Sequence, residues 1–323
     1  MGPVRELDGD ALRANVAAFA ALGAPVAAVV KSDGYGWGAR RIAREVDRLV
    51  ESYLVADADE LAALRPATAK PIRLLADAPP GRLGAVLDLG GIPNVSTAEA
   101  LAEAAAEAGR RGGLTIRVGV LDAAGWATIR PADAGAFAGA CARHGLEVEL
   151  WTHLTSPARE AAHLEGLAAA RRAFTRAGVA IASLDAAATS AARRERAYDR
   201  LRIGAGLFGA RMGAQVATRN AIRLRAPIVR RLAPGELPWA GYGDRALPVD
   251  RTAFVVRCGY GDGYPRSLAG IADIVSVGMQ YTVRLTNDGR DPGVLIGAED
   301  EIDGLAAHAG ISAHELLTGL ACR

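Results

Sequence analysis

Lysine is almost missing from this chain, which carries only Lys31 and Lys70 against 36 arginines. With arginine as the default cation, a lysine in an unusual setting becomes a candidate for chemistry that a guanidinium cannot perform. Cysteine is scarce as well: Cys141, Cys258 and Cys322 are far apart and odd in number, which excludes a disulfide framework and reads as reduced, unpaired thiols. No apolar run is long enough to span a bilayer, and the start Met1-Gly-Pro-Val-Arg-Glu has no apolar signal core. An excess of one charge is also lacking. The formal net charge is +2 with both signs interspersed, so nothing points to a nucleic acid or a membrane surface. The expectation is a soluble, cytoplasmic protein whose partner is a small molecule, with no metal.

What is present is a long apolar chain with a regular alternation. Half of the 323 residues are hydrophobic, enough for an α/β barrel, which typically needs about 250 residues, plus a smaller domain. Residues 8–22 read as a helix, with Leu12, Val16 and Phe19 on one face and Gly23 and Pro25 at its end. Strand-like runs then alternate with Ala-rich helical runs, beginning at Val26, Tyr53, Ile72, Ile92, Leu114, Leu146, Val179 and Leu201. Eight such units predict a (β/α)8 TIM barrel rather than an open sheet. Ser96-Thr-Ala-Glu99 reads as the capping box of the helix after the fourth of these strands. Beyond residue 220 short β-prone pieces replace the helices, such as Ala253-Phe-Val-Val-Arg257 and Tyr281-Thr-Val-Arg-Leu285, with turns at Pro234-Gly, Asn287-Asp-Gly and Asp291-Pro-Gly. The division is therefore 1–220 barrel and 221–323 smaller, mostly β domain, closed by two helices, the second opened by Ser312-Ala-His-Glu315.

The chain is organised around Val26-Ala-Ala-Val-Val-Lys31-Ser-Asp-Gly-Tyr35-Gly-Trp-Gly38. A lysine at the C-terminal end of a barrel strand stands where such enzymes collect reactive groups, and apolar flanks favour the free amine needed for a Schiff base. Taken alone, Lys31 is equally an ordinary strand-end lysine paired with Asp33. Tyr260 in Gly259-Tyr260-Gly-Asp262-Gly-Tyr264-Pro-Arg266 reads alone as a packed aromatic, Arg202 as an ion-paired barrel residue and His153 as a structural histidine.

Together these stretches resemble the alanine racemase family. Its cofactor-lysine motif is similar to Val29-Val30-Lys31-Ser-Asp-Gly-Tyr35-Gly, and its Gly-Tyr-x-Asp-Gly-Tyr-Pro-Arg motif is matched at every fixed position. The resemblance implies that pyridoxal phosphate is held by Lys31, with Tyr35 on its phosphate. Tyr260 is then the second acid/base, reaching the site from the partner of a homodimer with shared active sites. Inverting an α-carbon requires both: one group removes the proton from one face and the other returns one to the opposite face. Arg202-Ile-Gly204-Ala-Gly-Leu-Phe208-Gly resembles the family's Arg-Pro-Gly-x-x-Leu-Tyr-Gly, which implies Arg202 on the pyridine nitrogen and the backbone of Gly204 and Ala205 at the phosphate. His153 in Trp-Thr-His-Leu is implied beside the cofactor ring, and the backbone amide of Met279 at the substrate carboxylate.

Several positions depart from the family pattern. Where racemases carry Lys-x-Asp-Thr-Gly-Met-x-Arg, with an arginine for the substrate carboxylate, this chain has Gly119-Val-Leu-Asp122-Ala-Ala-Gly-Trp-Ala-Thr-Ile-Arg130, leaving Arg130 or Arg117 as substitutes. Ser190 in Ala188-Thr-Ser190-Ala-Ala stands for the family's Ala-Asn-Ser-Ala-Ala phosphate loop. Gln280 replaces an acidic residue, and the sequence given stops at Cys322-Arg323 where racemases supply another phosphate tyrosine. The expected activity is racemisation of L- and D-alanine, supplying the cell wall. The alternatives are a racemase, epimerase or other pyridoxal-phosphate enzyme for another amino acid in specialised metabolism, or a cofactor-binding homologue with weakened turnover. The Gly-Gly-Gly loop and Cys-Asp pair of related decarboxylases are not found.

Overall fold

The computed structural model describes residues 2–321 apart from 124, 155, 187, 193–198, 242–244, 272 and 286–290, and apart from the side chain of Pro157. After β1 (Val4–Leu7), eight strands form one parallel sheet: β2 (Val26–Val29), β3 (Ser52–Val55), β4 (Ile72–Asp77), β5 (Gly91–Asn94), β6 (Leu114–Gly119), β7 (Leu146–Trp151), β8 (Ile181–Asp185) and β9 (Leu201–Ile203). Their order is β8-β7-β6-β5-β4-β3-β2-β9, which is the expected barrel. Among the described residues no ladder joins β8 to β9. The seam is drawn together by side chains instead: Asp199 accepts from the Leu184 N–H at 2.5 Å, and Arg200 donates to Ser183 Oγ and Asp185 at 3.1 Å.

Helices cover the outside, and their starts follow capping chemistry. Asp8 accepts from the Ala11 N–H to begin helix Gly9–Ala20, whose Leu12, Val16 and Phe19 are fully buried. Burying a side chain of that size contributes roughly 1.5–3 kcal/mol. The helix after β5 corrects the sequence reading. Its N-cap is Thr97, which accepts from the Ala100 N–H at 3.1 Å, not Ser96. Ser96 is diverted to Asp77, to which it donates both its N–H and its hydroxyl. Ser312 does cap the last helix, accepting from the Glu315 N–H at 3.1 Å.

The barrel interior carries an unusual charged layer. Arg73, Arg117, Glu149, Asp185, Arg200 and Arg202 are all buried. Glu149 accepts two hydrogen bonds from Arg73 at 2.7 and 2.8 Å and lies 3.2 Å from Arg200. Burial alone would raise the Glu149 pKa, yet the guanidinium of Arg73 leaves it lowered. For Arg117 desolvation wins, and its value is pushed down to about 9.

The remaining strands are antiparallel: β10 (Ile222–Arg225), β11 (Ile228–Leu232), β12 (Trp239–Ala240), β13 (Arg245–Ala246), β14 (Ala253–Val256), β15 (Ile274–Val277), β16 (Thr282–Leu285) and β17 (Val294–Ile296). One sheet runs β11-β14-β16-β15, so the two β-prone pieces singled out in the sequence pair directly with each other. A second runs β1-β10-β17, so residues 4–7 belong to the same sheet as 222–225 although they precede the barrel, and β12 pairs with β13 alone. The turn expected at Asn287 lies outside the described residues. Helices Ile302–Ala309 and Ala313–Ala321 follow.

Candidate active site

Lys31 lies one residue beyond the end of β2, after Val30, and the chain then makes a left-handed turn. Ser32, Asp33, Gly34 and Tyr35 all have φ between 48° and 63°, a conformation that costs a residue with a Cβ about 1–2 kcal/mol. Such strain persists only where surrounding bonds hold it. Here Glu60 accepts from the Ser32 and Ala56 N–H groups at 2.6 and 2.7 Å, and Asp33 accepts from the Ala39 N–H at 2.8 Å. Asp33 is thus occupied with the next helix, and among the described residues Lys31 has no ion-pair partner. Trp37 donates to the Leu317 carbonyl at 3.0 Å, seating the turn against the last helix.

The turn aims Tyr35 into a cavity of about 320 Å³ at the C-terminal ends of the barrel strands. Lys31, Tyr35, His153, Ser190, Arg202 and Gly204 all line it. Positions 31, 35, 153, 190, 202 and 204, far apart in the sequence, thereby face one cavity. Leu75, Trp126, Trp151, Thr189, Met212 and His314 line it as well. Those six were not foreseen, and only Thr189 carried a signal, as the neighbour of Ser190. Ala205 is buried behind the lining.

Two groups of contacts organise this wall. In the first, the Tyr35 hydroxyl lies against Gly204, where an added Cβ would meet it at 2.1 Å, and Thr189 Oγ1 accepts from the Gly204 and Gly206 N–H groups at 3.4 Å. Bonds that long hold the two N–H groups weakly, so they remain available to an anion. Burial raises the Tyr35 pKa, which keeps its hydroxyl a donor. Hydroxyls and backbone N–H groups converging without a carboxylate have the chemistry to hold a phosphate. In the second group, Arg202 donates to the Thr152 carbonyl and lies 5.2 Å from the Trp151 ring. Burial, opposed by Asp185, brings its pKa down to about 10, so it is still a cation at neutral pH. His153 stacks on Trp126 with ring centroids 4.4 Å apart. Burial together with Arg202 and Lys31 depresses the His153 pKa to about 3, so the ring is neutral.

Three expected participants lie elsewhere on this chain. Tyr260 and Met279 are 38% and 54% exposed and do not line the cavity. They adjoin each other, since Tyr260 N–H donates to the Gly278 carbonyl at 2.9 Å and Gly261 N–H to that of Met279 at 2.8 Å. Arg130 is also outside the lining: its side chain is 67% exposed and forms an ion pair with Asp133 at 2.7 Å. Arg117 is fully buried and donates to the Leu74 carbonyl at 2.9 Å.

Two expected results follow from this geometry. Gly204→Ala forces Tyr35 aside, a clash of the kind that costs about 1–3 kcal/mol, and lowers affinity for pyridoxal phosphate, read by absorbance titration. For His153, the folded value of about 3 lies below the ordinary 6.5. Between those values the unfolded chain binds a proton that the folded chain refuses, so stability falls as pH drops from about 6.5 toward 3. Denaturant midpoints at pH 7 and pH 5 fall less far apart in His153→Gln than in the wild type.

Comparisons with known proteins agree on one family. The family model for the alanine racemase N-terminal domain matches residues 7–212. An alanine racemase of Methylobacterium sp. (strain 4-46) is 31% identical over 94% of this chain and 90% of its own length. That of Rhodospirillum rubrum is 30% identical over 93% and 88%. Among solved structures, alanine racemase from D-cycloserine-producing Streptomyces lavendulae superimposes with a TM-score of 0.81 at 24% identity, covering 99% of this chain and 95% of that one. Alanine racemase from Bartonella henselae with covalently bound pyridoxal phosphate gives 0.80 at 18% identity, covering 99% and 97%.

Proposed function

This chain belongs to the alanine racemase family, and on that premise we propose that it interconverts L- and D-alanine with Lys31 and Tyr260 as the two bases. It is an isomerase that depends on pyridoxal phosphate. The observation that carries the assignment of roles is the convergence of Lys31, Tyr35, His153, Ser190, Arg202 and Gly204 on one cavity. When bound, the cofactor supplies an electron sink that acidifies the α-proton of an amino acid.

The chain's own residues do the rest. Lys31 holds the cofactor through its amine and moves the α-proton on one face. Tyr35, Ser190 and the N–H groups of Gly204 and Gly206 hold the phosphate. Arg202, a donor only, would hold the ring nitrogen without giving it a full proton and so would restrain the electron sink, favouring racemisation over transamination. Tyr260 serves the opposite face. Its exposure, and its absence from the cavity lining of its own chain, support a homodimer in which it reaches the site of a second copy, bringing the Met279 amide with it. Residues 1–220 would form the cofactor-binding domain and 221–323 the β domain, with the strand at Val4–Leu7 crossing over to join the sheet of the latter. No helix among the described residues is long and apolar enough to cross a membrane. A cytoplasmic enzyme supplying D-alanine to a cell wall is the role that fits.

Incubation with L-alanine in deuterated water tests the reading. A racemase replaces the α-proton with deuterium and inverts the centre, both visible by proton NMR and chiral chromatography. Release of carbon dioxide, or no exchange from any amino acid in the presence of bound cofactor, would count against it.

A further inference from the structure

We propose that Trp151 is the positioning residue for Arg202: its indole, pinned by a chain of hydrogen bonds from neighbouring strands, holds the guanidinium at the cavity wall and thereby limits how often the reaction ends in transamination. The inference rests on the racemase reading of Arg202 and adds the residue through which that arginine is controlled.

Arg202 stands on β9, yet two of its contacts lie at the end of β7, across the seam and past β8. It donates to the Thr152 carbonyl, and its guanidinium carbon lies over the Trp151 ring, 5.2 Å from the centroid. Trp151 ends β7, is fully buried and shares the cavity lining with Arg202. Arg117 lies over the same ring, also at 5.2 Å, so one indole faces two buried cations. These like charges oppose each other, while the electron-rich face of the ring attracts both. That attraction is strongest for tryptophan and for a cation stripped of water.

The indole has little freedom of its own. Trp151 Nε1–H donates to Asn94 Oδ1 at 2.9 Å, Asn94 Nδ2 donates to Asp77 Oδ1 at 2.7 Å, and Asp77 Oδ2 accepts from the Ser96 N–H and hydroxyl at 2.9 and 3.0 Å. The chain of bonds crosses from β7 through β5 to β4, and it gives the diversion of Ser96 from capping a purpose. β6 makes room for the ring, since a Cβ on Gly119 would meet it at 2.6 Å. What the ring opposes is Asp185, fully buried behind the lining, whose carboxylate is 3.1 Å from Arg200 and 3.8 Å from Arg117 and attracts Arg202 as well. With the ring removed, the guanidinium is free to settle toward that carboxylate and give up the ring nitrogen. The side reaction then gains ground, and it needs no outside reagent. The α-proton goes to the carbon of the cofactor's aldehyde group instead of returning to the α-carbon. Hydrolysis of the bond between nitrogen and the α-carbon takes up the water lost when the amine joined the aldehyde. Alanine leaves as pyruvate, two electrons poorer, and the nitrogen and those electrons stay behind as pyridoxamine phosphate.

The test uses the full-length protein loaded with pyridoxal phosphate and given L-alanine, with pyruvate formed counted against α-proton exchange and each variant's fold checked by circular dichroism. Trp151→Leu raises that ratio by about tenfold or more. Trp151→Phe, which keeps a smaller ring but has no N–H for Asn94, raises it about threefold. Arg202→Ala raises it too, and adding Trp151→Leu to Arg202→Ala changes it by less than about twofold, because both act through one guanidinium. A readout without turnover accompanies these: the visible band of the bound cofactor, recorded against pH with no substrate, shifts its midpoint in Trp151→Leu in the same direction as in Arg202→Ala. A folded Trp151→Leu or Trp151→Phe whose ratio stays within about twofold of the wild type, or effects that multiply in full in the double variant, overturns the proposal. Racemisation with a ratio that Arg202→Ala leaves unchanged removes the role of Arg202 and this proposal with it, and leaves the racemase reading intact. No exchange from alanine in the wild type removes both.

Discussion

Lys31→Ala abolishes the absorbance of covalently bound pyridoxal phosphate and lowers α-proton exchange by about 10⁴-fold or more, since it removes an acid/base group and the cofactor's anchor together. No other amine can take its place. Lys70, the one remaining lysine, precedes β4 at the opposite end of the barrel and donates to the Val50 carbonyl. Lys31→Arg separates charge from chemistry, because it keeps a cation in the cavity but offers no amine that forms a Schiff base. Both variants should lose the absorbance, while Lys31→Arg retains affinity for free pyridoxal phosphate through Tyr35, Ser190 and the backbone N–H groups. A Lys31→Ala protein that still exchanges the α-proton at wild-type rates would remove Lys31 from the mechanism.

The second large effect concerns Tyr260. Tyr260→Phe lowers racemisation by about 10²–10⁴-fold, and proton removal from one enantiomer suffers more than from the other, because each base serves one face. Half-exposed Tyr260 tolerates the change without a packing penalty, so the melting temperature is expected to stay put. Mixing the two inactive variants gives the sharper experiment. If each site takes Lys31 from one copy and Tyr260 from the other, random reassortment of Lys31→Ala and Tyr260→Phe subunits rebuilds intact sites, to about a quarter of wild-type activity. Mixed dimers confirmed by native mass spectrometry but devoid of activity would show that the two residues do not share a site across subunits.

The barrel was legible because its information is local. Eight apolar runs at regular spacing, each beside an Ala-rich helix, specify parallel strands covered on the outside, and Lys31 falls at a strand end by simple counting. Parts of the cavity were also readable, since His153 and Arg202 sit on or just after strands whose register the pattern sets. What was not readable depends on contacts between distant residues. Trp126 becomes part of the wall only when Asn94 and Gly119 pull its loop down. His314 arrives there on a helix some 280 residues after Tyr35, with ring centroids 5.8 Å apart. Ser96 matched a capping pattern, but Asp77, nineteen positions earlier, claimed it and left Thr97 to cap. Arg130 looked like a spare cation until its neighbour Asp133 was seen to neutralise it.

The seat of the left-handed turn has a consequence for biosynthesis. Gly36 is spaced so that an added Cβ would meet that of Ala321 at 2.7 Å, and Trp37 leans on Leu317. While a ribosome is still making the chain, Lys31 emerges some 280 residues before its buttress. The nascent barrel therefore carries a strained loop without its support, and cofactor capture should wait until the helix Ala313–Ala321 has been made and docked.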